Sequence, residues 1–512
     1  SPLARSSPSP NREYLPMAEQ TQTAAAAATT TTEFDSAKWL DSALGRMKVT
    51  DDAAARQRGI AALNDFIKSA LQPGQVVNKD VETNIKLWIS AIDQKMTAQM
   101  NEILHHPSLQ KLEGTWRGLH YLVKKTETGE TLKLRVMNVT KDELRNDLER
   151  AVEFDMSETF KKVYEEEYGQ LGGFPFGLLV ADYEFDVRRS PDTKLLQNLS
   201  GVAAAAHAPL ISAVSPKSFN MDRFSELSNP RDLAKIFTGP DYAAWQAFRD
   251  SEDSRYVALT CPRVLAREVY GEKFNPVAEF NFEENVDGTD HDKYLWMNAA
   301  WTYAANVTDA YAKYGWMART RGVEGGGKVE GLPVHTFPTD DGDVAMKCPT
   351  EVAITERREQ ELEKLGFLSL IHCKGQPFAA FMSATSTQKP KKYDRDSATA
   401  NAILSTKFNQ LMCVSRFAHF LKVMVRNRVG SFMERADMER WLNRWINNYT
   451  LANPETAGDE TKAQKPLAWA EIKVVDVPAQ PGVYRAVAHL RPHFQLEALD
   501  ISLRMVAKQL GK

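Results

Sequence analysis

Gly173-Phe-Pro-Phe-Gly-Leu-Leu-Val-Ala-Asp-Tyr-Glu-Phe185 opens on glycine and proline and then runs apolar. Turn residues at the head of a short apolar run mark a loop feeding a strand, here Phe176–Phe185. The pattern repeats on either side. Leu132–Val139, Pro209–Val214, Tyr256–Cys261, Val352–Thr355, Phe367–His372 and Phe378–Ala384 read as further strands. Between them Lys141–Val152, Lys194–His207 and Asp292–Tyr314 carry helical periodicity, and Ser397–Val429 and Ala436–Thr450 follow as helices. Strands alternating with helices predict an α/β fold with a mixed-sheet core, here spanning residues 131–452.

The flanks read differently. Residues 1–32 are Ser/Pro-rich and then an Ala/Thr tract, a composition expected to be disordered because it has nothing to bury. The first methionine is Met17, and residues 1–16 read as an upstream extension set aside from fold reasoning. Residues 33–130 read as helical. Phe34, Trp39, Leu40, Leu44 and Met47 recur at helical spacing, a second helix covers Ala53–Leu71, and Asn78–His106 is a long one. Pro107 then opens a helix carrying Leu112, Trp116 and Leu119. After a polar linker at 453–466, residues 467–512 read as a β-strand tail. Trp469–Val477 and Val483–Leu490 are joined by a proline-containing turn, and Phe494–Val506 is a third strand. A strand cluster that small needs a neighbour, so it suits strand addition between subunits through Ile472, Val474, Val475, Val483, Tyr484, Val487 and Leu490. Removal of Trp469–Lys512 is expected to leave the core able to bind a partner but to abolish assembly with neighbouring subunits.

Composition narrows the function. The chain has 512 residues, 43% hydrophobic, with Lys+Arg 64 against Asp+Glu 67. That balance provides no basic field for nucleic acid, and no apolar run reaches membrane-spanning length, so no membrane insertion is expected. Cys261, Cys348, Cys373 and Cys413 are scattered without a CxxC pair, which fits reduced thiols better than a disulfide framework or a metal site. Gly322-Val-Glu-Gly-Gly-Gly327-Lys328-Val329 matches part of a phosphate-binding loop. Val329, however, stands where a Ser or Thr would hold magnesium, and the preceding segment reads as helix where a strand is required. His105-His106 reads as a helix terminus. His372-Cys373 reads as a packed pair at a strand end, with no partner base at a recognisable spacing. No catalytic residues, cofactor or metal are expected.

Three segments, taken together and in order, carry a resemblance: Thr115-Trp-Arg-Gly-Leu-His-Tyr-Leu-Val123, the Gly173–Phe185 stretch, and Leu490-Arg-Pro-His-Phe-Gln-Leu-Glu497. They resemble the large subunits of bacterial type VI secretion contractile sheaths, the TssC/VipB family, across nearly everything from Glu33 to Lys512. Read alone, each is core packing, with Trp116, Phe176 and Phe494 expected to be buried. The resemblance implies a cytoplasmic structural protein and not an enzyme. It would pair with a small sheath subunit (TssB/VipA) and join a helical polymer around an Hcp inner tube, assembled from a baseplate. A ClpV-type AAA+ unfoldase would recycle the contracted polymer. In that family an N-terminal helix is the unfoldase's handle, which here falls on Trp39, Leu40, Leu44 and Met47. The alternatives are a sheath subunit of another contractile system, such as a phage tail, or an enzyme of unknown type.

Overall fold

A computed structural model describes Gln57, Arg58, Ala61 and residues 81–229, 232–339, 341–431, 433–476, 484–493 and 495. The expected disorder at 1–32, the helix bearing Trp39, Leu40, Leu44 and Met47, the turn with Val483, and the strand beyond Phe494 lie outside the described residues. So does all of the expected helix at 53–71 except Gln57, Arg58 and Ala61, which are helical. Contacts divide the chain at Met96, with residues up to Met96 in one unit and Thr97–Lys512 in the other.

Helix α1 (Val81–Leu104) is followed by α2 (Pro107–Lys125), with Pro107 in its first turn and the His106 ring accepting the Ser108 N–H as a cap. Of the apolar stripe expected on α1, Trp88 is buried while Ile85, Ile89, Ile92 and Met96 are exposed. Helix α3 (Lys141–Arg150) starts at a complete capping box between Thr140 and Glu143. Next come β1 (Leu179–Phe185), α4 (Ser190–Ala206), β2 (Leu210–Val214), α5 (Ala243–Asp250) and β3 (Val257–Cys261). A short pair, β4 (Val264–Leu265) with β5 (Trp296–Met297), precedes α6 (Ala300–Tyr314) and β6 (Lys328–Glu330). Then follow the hairpin β7 (Thr336–Pro338) and β8 (Val344–Met346), α7 (Glu356–Lys364), β9 (Phe367–His372) and β10 (Phe378–Phe381).

Six of these strands form one sheet in the order β1-β2-β3-β9-β10-β6. The first four run parallel, and β10 is antiparallel to both β9 and β6. The sheet is therefore mixed, as the sequence predicts. Its two faces are dry. Leu210, Val214, Val257, Leu259 and Phe367 pack with Leu195, Leu196, Trp245 and Phe248 of α4 and α5. On the other face Ile211, Ala258, Leu368 and Leu370 pack with Tyr303 and Val307 of α6. Strands covered by helices on both sides have no polar face, which is why they read as unbroken apolar runs.

Four expected elements differ. The helix expected over Ser397–Val429 is two, Asp396–Ser405 and Phe408–Arg426, interrupted where Lys407 bridges to Thr385. Leu132–Val139 makes no ladder. Leu134 packs against the Leu122–Trp301 cluster that Leu178 and Val180 also join, and the Tyr183 hydroxyl of β1 donates to the Val139 carbonyl at 2.6 Å. Val352–Thr355 is likewise not a strand, since Val352 and Ile354 fill the core from a loop. The helix expected from Asp292 starts at Ala300, because Trp296–Met297 is claimed by β4 and the Asn298 side chain accepts the Ala300 N–H.

Helices α8 (Asp396–Ser405), α9 (Phe408–Arg426), α10 (Arg435–Ile446) and α11 (Asp459–Gln464) lead to the antiparallel hairpin β11 (Leu467–Asp476) and β12 (Tyr484–Pro492). A further core cluster joins Trp316, Phe417, Leu442 and Ile446 to Leu467, Ile472 and Val474. The tail is thus docked, not free. Ile472 and Val474 belong to that core, so cutting away Trp469–Lys512 would take packing from the body as well as the hairpin itself. The segment between α10 and β11 is also tied down, by α11 with its buried Ala463 and by a bridge from Thr450 to Leu467.

Candidate assembly surfaces

In the first motif, every fourth residue of α2 (Gly114, Gly118, Leu122) faces inward. A Cβ on Gly114 would stand 2.6 Å from the Trp296 carbonyl oxygen, and one on Gly118 2.2 Å from the Trp301 indole. The glycines exist so that α2 can lie against β5 and α6. Trp301 in turn donates its indole N–H to Asp182 of β1 at 3.1 Å. Burial raises the Asp182 carboxyl above its ordinary range, while hydrogen bonds from Thr115, Trp301 and Asn298 pull the other way. The first two motifs therefore meet at one joint. A bidentate Arg267–Glu284 pair, 2.6 and 2.9 Å, buried beside it and shared with Glu113 of α2, fixes the same joint with charge-assisted bonds.

The outer side of this joint is bare. Trp116 is 62% exposed, contrary to the expectation that it is core, and Leu112 and Val123 are exposed with it. Phe176 is half-buried, and Phe494 lies outside the described residues. Val136 and Met137 of the ladderless segment, and Leu171 and Phe174 ahead of β1, are exposed as well. Among the described residues β1 is an edge strand of the large sheet. An open parallel edge next to strand-like sequence and scattered large apolar side chains is the composition of an interface, not of a free surface.

The hairpin supplies a second surface whose two edges differ. On α10, Glu439 and Asn443 are one turn apart and both point at β11. The Asn443 amide donates to the Ile472 carbonyl at 2.7 Å and accepts the Ile472 N–H at 2.9 Å, while the Glu439 carboxylate accepts the Val474 N–H at 2.8 Å. The outer edge of β11 is thus closed by its own chain. Because Ile472 sends both backbone groups away from β12, the pair Ile472–Ala488 is of the non-hydrogen-bonded kind. Ala488, and by the same two-residue period Ala486 and Leu490, therefore direct their backbone groups to the outer edge of β12. Of the tail residues singled out from sequence, Ile472 and Val474 are buried against α10, and Leu490 is half-buried. Val475, Tyr484 and Val487 are exposed. The third motif is an anchor. His493 donates through Nε2 to the Lys465 carbonyl at 2.9 Å, and the Gln495 side chain joins Asn409 of α9 and the Ala318 carbonyl.

The glycine-rich loop is explained by close approach. Gly322 donates to the Phe381 carbonyl at 2.7 Å, and Gly327 donates back to Gly322 at 2.8 Å. A Cβ on Gly327 would meet that Phe381 oxygen at 2.3 Å, and the loop leads into strand β6. Lys328 pairs with Glu330 and lies over the Phe378 ring. The His105 ring approaches the buried Glu284 at 3.4 Å. Among the described residues no group of His, Cys, Asp and Glu is arranged to hold a metal ion, and no helix is long and apolar enough to cross a membrane.

One buried histidine gives a pH prediction. His419 of α9 donates Nε2–H to the Ala206 carbonyl at 2.9 Å and sits against Tyr168 and His207, with Lys422 over the Tyr168 ring. Burial, reinforced by Arg416, His207 and Lys422, depresses its pKa to about 4, and burial lowers that of His207 too. The unfolded chain, with an ordinary His value of about 6.5, therefore binds more protons than the folded one below that pH. Stability is fully present above about 6.5 and is lost as pH falls towards 4, by roughly 3 kcal/mol for His419. Denaturant midpoints between pH 7.5 and 4.5 should show this fall, and His419→Gln, which keeps a donor but cannot ionise, should flatten it. A variant with the wild-type slope would show that the proton binds elsewhere.

Comparison with known proteins settles the family. The family model of the EvpB/VC_A0108 tail sheath N-terminal domain matches residues 86–388, and that of the EvpB/VC_A0108 tail sheath gpW/gp25-like domain matches residues 397–509. The chain belongs to the VipB tail-sheath family. This type VI secretion sheath chain is 52% identical over 456 residues, 89% of its length and 91% of the relative's, to the type VI secretion system sheath protein TssC1 of Pseudomonas aeruginosa. Among solved structures, the anti-feeding prophage baseplate aligns at 12% identity and TM-score 0.33, over 62% of the VipB-family chain and 67% of its own. The contracted anti-feeding prophage sheath aligns at 12% identity and TM-score 0.27, over 62% and 75%. Likeness at that level carries no argument about function.

Proposed function

We propose that this chain is the large structural subunit of a cytoplasmic contractile sheath and not an enzyme. It pairs with a small subunit of the TssB/VipA kind, and the pairs polymerise around an Hcp tube from a baseplate and contract to drive the tube outward. A ClpV-type unfoldase then dismantles the contracted polymer. The observation that carries this reading is the asymmetric hairpin, in which β11 is closed by Asn443 and Glu439 while β12 has no second strand beside it among the described residues. A strand added there from a neighbour would gain main-chain bonds worth about 0.5–1.5 kcal/mol each, and the docked β11 would pass load into the body through α10. The bare face of α2 and the β1 edge suit the small subunit, because they offer apolar area and an unpaired strand edge together. Producing the chain with and without its cognate small subunit tests the proposal. Tubes visible by negative stain only in co-production support it, whereas a stable soluble monomer indifferent to the partner overturns it.

The handle for the unfoldase is proposed on Trp39, Leu40, Leu44 and Met47, from their apolar spacing and the family's use of an N-terminal helix. An unfoldase that spares loaded sheaths needs a segment whose affinity differs between the two states. Leu40→Asp with Leu44→Asp should leave assembly and one contraction normal and leave contracted sheaths uncleared, because two carboxylates would enter an apolar groove. Clearance at the wild-type rate by time-lapse imaging would place the handle elsewhere.

A further inference from the structure

We propose that the first turn of α9 is the seat of this chain's own residues 496–500, an acidic segment that docks there through its main-chain N–H groups and the Glu497 carboxylate. Those residues lie outside the described ones, but the point from which they depart is fixed. The Gln495 side chain is held at both ends. Its Oε1 accepts from Asn409 Nδ2 at 3.1 Å, and its Nε2 donates to the Ala318 carbonyl at 3.1 Å. Asn409 Nδ2 also donates to that carbonyl, at 2.8 Å. Whatever follows Gln495 therefore starts against α9.

The turn offers two kinds of group. Both donations of Asn409 run through Nδ2, which leaves Oδ1 as an acceptor. Asn409 is 1% exposed and Gln410 6%, and neither Asn409 Oδ1 nor Gln410 Oε1 has a hydrogen-bond partner among the described residues. Burying an acceptor without a donor is costly, so two on adjacent residues point to donors brought by another segment. The same turn also lacks acceptors for its own N–H groups. Lys407 gives α9 no side-chain cap, and the N–H groups of Asn409 and Gln410 meet no acceptor among the described residues. A helix N-terminus in that state attracts negative charge. Cations stand on both arms that hold Gln495, with Arg319 next to Ala318 and Lys407 two residues before Asn409.

The occupant must thus bring main-chain N–H donors and a carboxylate. Leu-Glu-Ala-Leu-Asp at 496–500 brings both. Side chains alternate along extended chain, so Glu497 falls on the same face as Gln495 and roughly 7 Å beyond it. The hairpin already uses this chemistry, since Asn443 and Glu439 of α10 accept the main-chain N–H groups of Ile472 and Val474. A second copy would carry the same segment, but this chain's own begins one residue from the seat, and a short tether gives it a large advantage in effective concentration. Because the seat lies within one chain, the contact forms before any polymer does.

The test is hydrogen exchange, read by mass spectrometry, on the unpolymerised full-length chain, in complex with its small subunit where that is needed for solubility. Amides of residues 496–500 should exchange several-fold more slowly than in the denatured chain, and equally so when the protein is diluted. Gln410→Met keeps the side chain's length and removes its acceptor, and Glu497→Lys reverses the charge. Each should speed exchange at 496–500 several-fold, while the amides of Ile472 and Val474 keep their rates and report that the chain is still folded. Wild-type exchange at the denatured rate would overturn the proposal, and so would rates that neither variant changes. Slow exchange that is lost on dilution would place a second copy's segment in the seat and overturn docking within one chain.

Discussion

Replacing Ala486 with proline should abolish tube formation while leaving the chain folded and able to bind its small subunit. The residue is exposed, and its N–H faces away from β11 by the register that places Ala486 opposite Val474. Proline is tolerated on a strand edge whose N–H is not used within the sheet. The substitution therefore spares the hairpin and removes only what the hairpin offers to a neighbour. One main-chain bond of about 1 kcal/mol is lost directly, and the ring adds a steric barrier to the incoming strand. Because each subunit in a helical polymer repeats the contact, a modest loss per contact becomes a large loss of polymer. Proline at Val487 is the control. That residue pairs with Lys473 across a hydrogen-bonded site, so its N–H belongs to β11 and the variant should instead weaken the hairpin. Normal-length tubes from Ala486→Pro by negative stain would show that strand addition at this edge does not hold the sheath together.

Gly118→Ala should destabilise the chain by roughly 3 kcal/mol, against the gain of up to about 1 kcal/mol that alanine normally brings to a helix. The added methyl would stand 2.2 Å from Cδ1 and 2.4 Å from Nε1 of Trp301. That ring cannot swing aside cheaply, since it is buried and its N–H is held by Asp182. Either α2 lifts off α6 or the Trp301–Asp182 bond breaks. Gly129→Ala, with nothing within 4 Å, should be neutral by comparison. Denaturant unfolding of both variants under identical conditions measures the difference, and equal midpoints would mean that the α2–α6 contact is soft.

Glycine in Thr115–Val123 looks from sequence like a weak point in a helix, and only its neighbour Trp301, far along the chain, makes it obligatory. Trp116 teaches the converse. Large and apolar, it reads as core, yet it is on the outside because Gly114 and Gly118 already claim the inward face. The Leu132–Val139 segment has strand propensity but no partner, because pairing depends on what lies at β1's open edge and not on the segment itself.

Local pattern was enough for the α/β class, the strands β1, β2, β3, β9 and β10, most of the helices and the family. These rest on period, punctuation and runs of residue type, all of which can be read within a short window of chain. Which edge of the hairpin is closed and which face of α2 is bare emerged only on folding. The first follows from Asn443 and Glu439 reaching β11, the second from two glycines meeting two tryptophans. Each is a contact between residues far apart in the chain, and the physics of such contacts is set by distance and register, which a linear pattern does not contain.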